Sequence, residues 1–326
     1  MSGHHKSRIR ILDEIRRLRP ERDHQRIVFL STCYDFPFDT TRALEFALFR
    51  TFAVPSISAL LDRTGEFRTR AQKRYDDTDI IVSELMERGY DSDRGKRALR
   101  RMNQLHGRFV IANADFLYVL STFVFEPIRW NRRFGWRPLC EQERLGYFHF
   151  WRAVGRRMDI HGIPGDYDEF ERFNREYERK HFRFTDANAR VGSATRELFV
   201  DWMPRPFAPV VRRVIYALLD DPLIEAFGFP RPARWMRRLV VGGVCALESC
   251  DGYRRGRDRD IARKCGTGRM RTVTPSSTSA RRSISPEGAA QDSPGQRPGI
   301  AWAKESLSPE RAQHSGDVGM LRPFRA

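Results

Sequence analysis

Residues 39–53 read DTTRALEFALFRTFA, and this stretch decides the fold class. Leu44, Leu48 and Phe52 recur at i, i+4 and i+8, which stacks them on one side of an α-helix. Asp39 and Thr40 are residue types that cap helix N-termini, and Pro55 punctuates the far end because it cannot donate to the helical ladder. The same period runs outward from this segment. A short second helix is expected over Ser56–Leu61, and residues 67–88 carry Ile80, Ile81 and Leu85 before a natural stop at Gly89. Asp91 and Ser92 open a helix expected to run to about Ala112. Further helical patterns cover roughly 114–125, 139–159, 166–180, 186–202, 208–219 and 231–247. Only Arg26–Thr32 (RIVFLST) reads as a short strand. The expectation is an all-α protein.

Composition supports a folded body with a different tail. The 326-residue chain is 40% hydrophobic and holds 23 Phe, too many large apolar side chains for a wholly disordered protein. Residues 39–247 form the expected single large helical domain. Residues 1–38 form an N-terminal segment in which Ile11, Ile15 and Leu18 fit an amphipathic helix, lying on a surface or docked on the body. Residues 248–326 hold 25 Gly, Pro and Ser and one Phe, and are expected to be a disordered tail. Five cysteines, odd in number and without a CxxC pair, argue against a disulfide framework or a cysteine-rich zinc site. The run Leu239–Leu247 is too short to span a bilayer, and Asn113, Asp115 and Glu126 interrupt the apolar stretch 109–128.

The net charge of +17 suggests a nucleic-acid partner until it is divided along the chain. The tail holds 15 Lys+Arg against 9 Asp+Glu, and residues 1–247 hold 44 against 33. In the body the charges are interleaved, as in KRYDD (73–77) and EFERFNREYERK (169–180), which is the pattern of a solvated helical face. No zinc-finger, RRM-like or helix-turn-helix signature accompanies them, so nucleic acid is not the favoured partner.

Two helices carry the residues with chemical promise. Around 92–112, Leu99, Met102, His106, Phe109, Val110 and Asn113 fall on one face, which places His106 in an apolar stripe beside Gly107. Such a histidine is either a core residue satisfied by a neighbouring carbonyl or a lone axial ligand to haem iron. On the preceding helix Arg74 and Thr78 are four apart and share a face. They could orient bound dioxygen; alternatively Arg74 forms an ion pair with Asp77 and Thr78 merely packs. His149 in YFHFW (147–151) and His161 show no metal-ligand spacing and suit structural roles.

Several segments, in order across about Phe46 to Pro230, resemble the MpaB-type oxygenases, relatives of the rubber oxygenases (latex-clearing proteins). They are FALFRTFAVPSISALL (46–61), QKRYDDT (72–78), RRMNQLHG (100–107), YVLSTFVFEP (118–127), RFGWRPL (133–139), WRAVGRRMDIHGIP (151–164) and AFGFP (226–230). The resemblance implies an all-helical fold, a haem b cofactor and His106 as proximal iron ligand. It also implies a distal R-x-x-x-T pair, matched by Arg74 and Thr78, with Thr78 lying 28 residues before His106. The lysine that rubber oxygenases carry just before the threonine is Asp77 here, so the sixth iron position is left unassigned. A distal catalytic carboxylate is a further family feature, for which Glu45 and Glu66 are the candidates. Arginines in 97–101 and 152–157 could balance haem propionates.

The function expected on this resemblance is a haem-dependent oxygenase. Its partners would be dioxygen and an unsaturated hydrophobic substrate of prenyl or lipid type, in a cytoplasmic location with peripheral membrane contact. The alternatives are a basic helical protein binding an anionic membrane or nucleic acid, and a family member without catalysis.

Overall fold

The computed structural model describes residues 3–249, and within them the side chains of residues 10–244. The tail expected over 248–326 therefore lies, from residue 250 onward, outside the described residues. The described chain is all-α, and no strand occurs in it. The helices are α1 (Gly3–Arg17), α2 (Pro20–Leu30), α3 (Pro37–Phe52), α4 (Pro55–Thr64), α5 (Glu66–Thr69), α6 (Ala71–Arg88) and α7 (Asp93–His106). They continue with α8 (Asn113–Arg133), α9 (Glu141–Arg157), α10 (Tyr167–His181), α11 (Asp186–Asp201), α12 (Ala208–Leu218), α13 (Asp221–Phe227) and α14 (Arg234–Ser249).

Local chemistry explains the boundaries. Proline opens α2, α3 and α4 in the first turn, where its missing N–H costs nothing. Side-chain caps start four others: Ser92 accepts from Gly95 N–H, Asp166 from Glu169, Thr185 from Asn188 and Asp220 from Leu223. Asp39 and Thr40 do not cap α3, which begins at Pro37. Asp39 is buried and accepts from Trp130 Nε1 at 3.1 Å, while Thr40 meets Tyr147 Oη at 3.4 Å. Capping residue types here stitch helices together instead.

The expected strand Arg26–Thr32 is overturned. Arg26–Leu30 end α2, and Ser31–Asp35 continue as a π-helical turn. The apolar run is continuous because Ile27, Val28 and Leu30 are buried on different sides of one helix. Helix α2 lies so close along α9 that a Cβ at Gly146 would sit 2.6 Å from Ile27 Cγ2. Ile15 of α1 is fully buried against Ile27 and Leu30, with Ile11 and Leu18 packed alongside.

Helix α8 is the central strut, packed against α3, α9 and α10. One apolar core, including Val28, Leu85, Leu120, Phe125 and Phe150, fills the space between α2, α6, α7, α8 and α9. A second, including Phe49, Phe52, Val191, Ile224 and Phe227, joins α3 to α11 and α13. A buried ion cluster ties the two regions. Arg50 of α3 meets Glu178 of α10 at 2.7 Å, Glu126 of α8 at 3.3 Å and Asp220 at 2.7 Å, while Tyr118 Oη donates to Glu178 at 3.1 Å. Those carboxylates hold the guanidinium pKa well above its ordinary value, outweighing the opposing effect of burial. Among the described residues no single helix is long and apolar enough to cross a membrane. Helices α3 and α4 meet that test only as a pair, bent by 97°.

Candidate active site

The α6–α7 hairpin brings the predicted residues together. Gly89 has φ +78°, donates its N–H to Leu85 O, and ends α6; the chain reverses and Ser92 caps α7. His106 is 13 residues into α7, and Tyr75 is 13 residues before the end of α6. At about 1.5 Å per residue both lie roughly 20 Å from the turn, side by side. The start of α6, with Arg74 and Thr78, thus faces the end of α7.

His106 is not mid-helix, as the expected 92–112 helix would place it. Helix α7 stops at His106, with Gly107 as its cap, and the chain tightens through Phe109 N–H to His106 O at 3.1 Å. Phe109, Val110 and Asn113 leave the stripe, and Val110 is fully exposed. Asn113 instead opens α8 and exchanges hydrogen bonds with the backbone of His161, both at 2.9 Å. The His106 ring is part-buried and packs edge-on to Phe116 of α8, centroids 5.2 Å apart. Its Nδ1 is buried without a hydrogen-bond partner, so the neighbouring carbonyl that would satisfy a purely structural histidine is not supplied. Burial, reinforced by the nearby Arg74 charge, pushes the imidazole pKa down to about 4. The ring is neutral at physiological pH, the form that ligates metals.

Arg74 is part-buried, and burial lowers the pKa of its guanidinium against the pull of Asp77 and Glu66. The Arg74–Asp77 ion pair is not formed, because Asp77 pairs with Lys73 at 2.7 Å. The guanidinium instead hydrogen-bonds Thr78 Oγ1 and lies 5.9 Å over the Phe67 ring. Thr78 in turn donates to the Arg74 carbonyl at 3.1 Å. Its proton is thereby committed to the helix, and its lone pairs hold the arginine in place. A part-buried cation held by a hydroxyl and an aromatic face retains its capacity to bind an anion.

The two carboxylate candidates separate. Glu66 pairs with Arg70 at 2.6 Å on the adjoining turn. Glu45 of α3 is buried, accepts from Tyr75 Oη at 3.1 Å and pairs with Arg42 at 2.6 Å. Tyr75 follows Arg74 directly, so Glu45 engages α6 about 100° round from the Arg74–Thr78 face. Burial raises its pKa to about 7 despite Arg42, whose side chain is 32% exposed and shares its charge with water. The Tyr75–Glu45 bond is not legible in the sequence, since 30 residues separate its ends.

The remaining histidines stand apart. His149 is half-buried with its ring 6.3 Å from that of His24, and His161 is exposed. Among the described residues no group of three or more His, Cys, Asp or Glu is placed to hold a metal ion. Of the arginines considered for propionates, Arg157 is engaged by Asp91 at 2.8 Å and lies over the Tyr90 ring.

The family described as "ER-bound oxygenase mpaB/B'/Rubber oxygenase, catalytic domain" matches residues 43–247, a span that includes Arg74, Thr78 and His106. The chain is similar to ER-bound oxygenase mpaB of Penicillium roqueforti (strain FM164), 33% identical over 215 residues, covering 59% of this chain and 70% of that protein. It is 29% identical over 217 residues to ER-bound oxygenase mpaB' of Penicillium brevicompactum, covering 61% of this chain and 51% of that protein. It is also 36% identical over 132 residues to mpaB of the same species, covering 39% and 34%.

Proposed function

Because the chain belongs to the mpaB/rubber oxygenase catalytic-domain family, we propose that it is a haem-dependent oxygenase acting on an unsaturated hydrophobic substrate of prenyl or lipid type. The observation that carries the reading is the neutral, part-buried imidazole of His106, with a buried and unpartnered Nδ1, facing Arg74 across the hairpin. These residues fit haem b. One neutral imidazole from a largely apolar site suffices to hold its iron, and a part-buried cation with no carboxylate ion pair among the described residues suits an anionic or electron-rich neighbour.

A bound haem would supply iron for the activation of dioxygen. His106 would be the protein ligand, and whatever accepts or donates at its second ring nitrogen would tune it. Arg74 keeps a fixed positive charge in a low-dielectric site, where an oxygen atom that gains negative charge during turnover is stabilised without reorganisation. Thr78 fixes the arginine geometry, and rotation of its hydroxyl away from the Arg74 carbonyl frees one proton for donation. Asp77, held by Lys73, does not reproduce the rubber-oxygenase lysine. Glu45 carries a carboxyl that changes protonation near neutral pH on the neighbouring face of α6. The relatives' names place them at the endoplasmic reticulum, and we extend membrane association to this chain.

The test is an absorption spectrum of the purified chain before and after addition of haemin. A Soret band in the wild type, lost in a folded His106→Ala variant, supports the reading. Folded protein that takes up no haem refutes it.

A further inference from the structure

Helix α14 carries apolar residues on two faces, and the fold uses only one. Val241 and Val244 face inward onto the small core of Trp130 and Phe134. Trp235 and Leu239 lie four apart on one other side, 68% and 66% exposed. Among the described residues, this tryptophan and leucine belong to none of the apolar clusters that hold the body together.

Charge marks the same helix. A cleft of about 440 Å³ is lined by Arg133, Arg234, Arg237, Arg238 and Val241. Two of its arginines are anchored: Arg133 stacks on Phe134 at 4.8 Å, and Arg237 is paired with Asp221 at 2.7 Å. Arg234 and Arg238 are exposed, and no ion pair among the described residues involves either. They flank Trp235 and Leu239 in sequence, so each exposed apolar side chain sits next to a cation.

We infer that this end of α14 docks on an anionic lipid bilayer, with the arginine cleft receiving lipid phosphate and Trp235 and Leu239 entering the interfacial layer. The occupant must bring negative charge and an apolar phase together. The chain's own residues 250–326 do not qualify, since they hold 15 Lys+Arg against 8 Asp+Glu and share the sign of the cleft. A nucleic acid brings phosphate but no apolar layer for Leu239. A bilayer brings both, and tryptophan with flanking arginine is the residue pairing that interfaces select. The inference deepens the membrane association proposed above and is independent of the haem chemistry.

The experiment is co-sedimentation of the full chain with vesicles of phosphatidylcholine alone and of phosphatidylcholine with about 30% phosphatidylserine, to mimic an anionic cytoplasmic leaflet. The variants are Trp235→Ser with Leu239→Ser, and Arg234→Gln with Arg238→Gln. Val110→Ser, at an exposed valine of the α7–α8 connection, is the control. All these positions are exposed, and circular dichroism verifies that each variant keeps its helix content.

Wild type and control are expected to bind the anionic vesicles. Removing the two arginines should weaken that binding about thirtyfold, at roughly 1 kcal/mol per cation near the surface. The Trp235/Leu239 variant should also lose binding to the anionic vesicles. Wild-type binding unchanged in both variants overturns this surface while leaving membrane association standing. No vesicle binding by wild type overturns both. Binding of a short DNA duplex that falls with the arginine variant, without vesicle binding, assigns the face to nucleic acid and overturns the inference.

Discussion

Glu45→Gln should make the protein more stable above pH 7 and leave it nearly unchanged at pH 5. The wild-type carboxyl is 4% exposed, and its pKa rises from 4.5 to about 7, chiefly through burial. Below pH 4.5 the group is protonated whether the chain is folded or not, and it costs nothing. As pH rises through 7, the unfolded chain has already released the proton and the folded chain must ionise a buried group. Stability is therefore lost between about pH 4.5 and 7, by up to ~3 kcal/mol, since each tenfold difference in proton affinity between the two states is worth about 1.4 kcal/mol. Glutamine keeps an oxygen to accept from Tyr75 Oη, and the Arg42 attraction needs no separate subtraction, because it is already part of what holds the wild-type carboxyl at about 7 against burial. The net expectation is a gain of about 1–3 kcal/mol at about pH 8.5, read from urea unfolding of both proteins at roughly pH 5, 7 and 8.5. Parallel pH profiles for the two would mean that Arg42 keeps Glu45 ionised throughout and that burial does not raise its pKa.

Other perturbations follow from the same structure. Arg50→Met removes the cation shared by Glu178, Glu126 and Asp220 and should cost about 3–5 kcal/mol in urea unfolding. Adding Glu178→Gln should recover part of that loss, and full additivity would mean that the groups do not act as a cluster. Gly192→Ala places a Cβ 2.4 Å from Phe227 Cδ1 and should destabilise by about 1–3 kcal/mol, seen as a lowered Tm; an unchanged Tm would show that α11 and α13 separate freely. Arg74→Gln should retain haem uptake yet lower oxygenase turnover by about 100-fold or more, the scale for losing one preorganised donor. Equal turnover would remove Arg74 from the chemistry.

The fold class is legible because amphipathic periodicity survives in most of the chain, and the misreadings occur where burial is not one-sided. RIVFLST is apolar on every side because α2 is enclosed by α1, α6 and α9, and an unbroken run of that length reads equally as strand. Helix α7 ends at His106, ahead of the expected end near Ala112, since Phe109 and Asn113 continue the arithmetic of the stripe although the backbone has turned after Gly107. Within the site, Arg74 and Thr78 share a face by spacing alone, and their hydrogen bond is a local consequence of it. Their proximity to His106 depends on the turn at Gly89–Ser92, which the glycine and the cap also signal. The Arg50 cluster carries no such signal: Glu126, Glu178 and Asp220 lie 76, 128 and 170 residues away, and only the assembled helices bring them together.

The α6–α7 hairpin has the proportions of a pair of tongs. Its closed end is tight, since a Cβ on Gly95 would lie 2.0 Å from the Gly89 carbonyl oxygen, so the two backbones there have no room to slide. The far end, about 20 Å away by helical rise, carries Arg74 on one arm and His106 on the other. Over that lever, a tilt of about 5° at the pivot changes the gap between the arms by about 2 Å, while the glycine contact barely moves. The spacing between Arg74 and His106 is thus governed by a fulcrum nearly four turns distant, and substitutions at residues 89 and 95 would be felt at that far end.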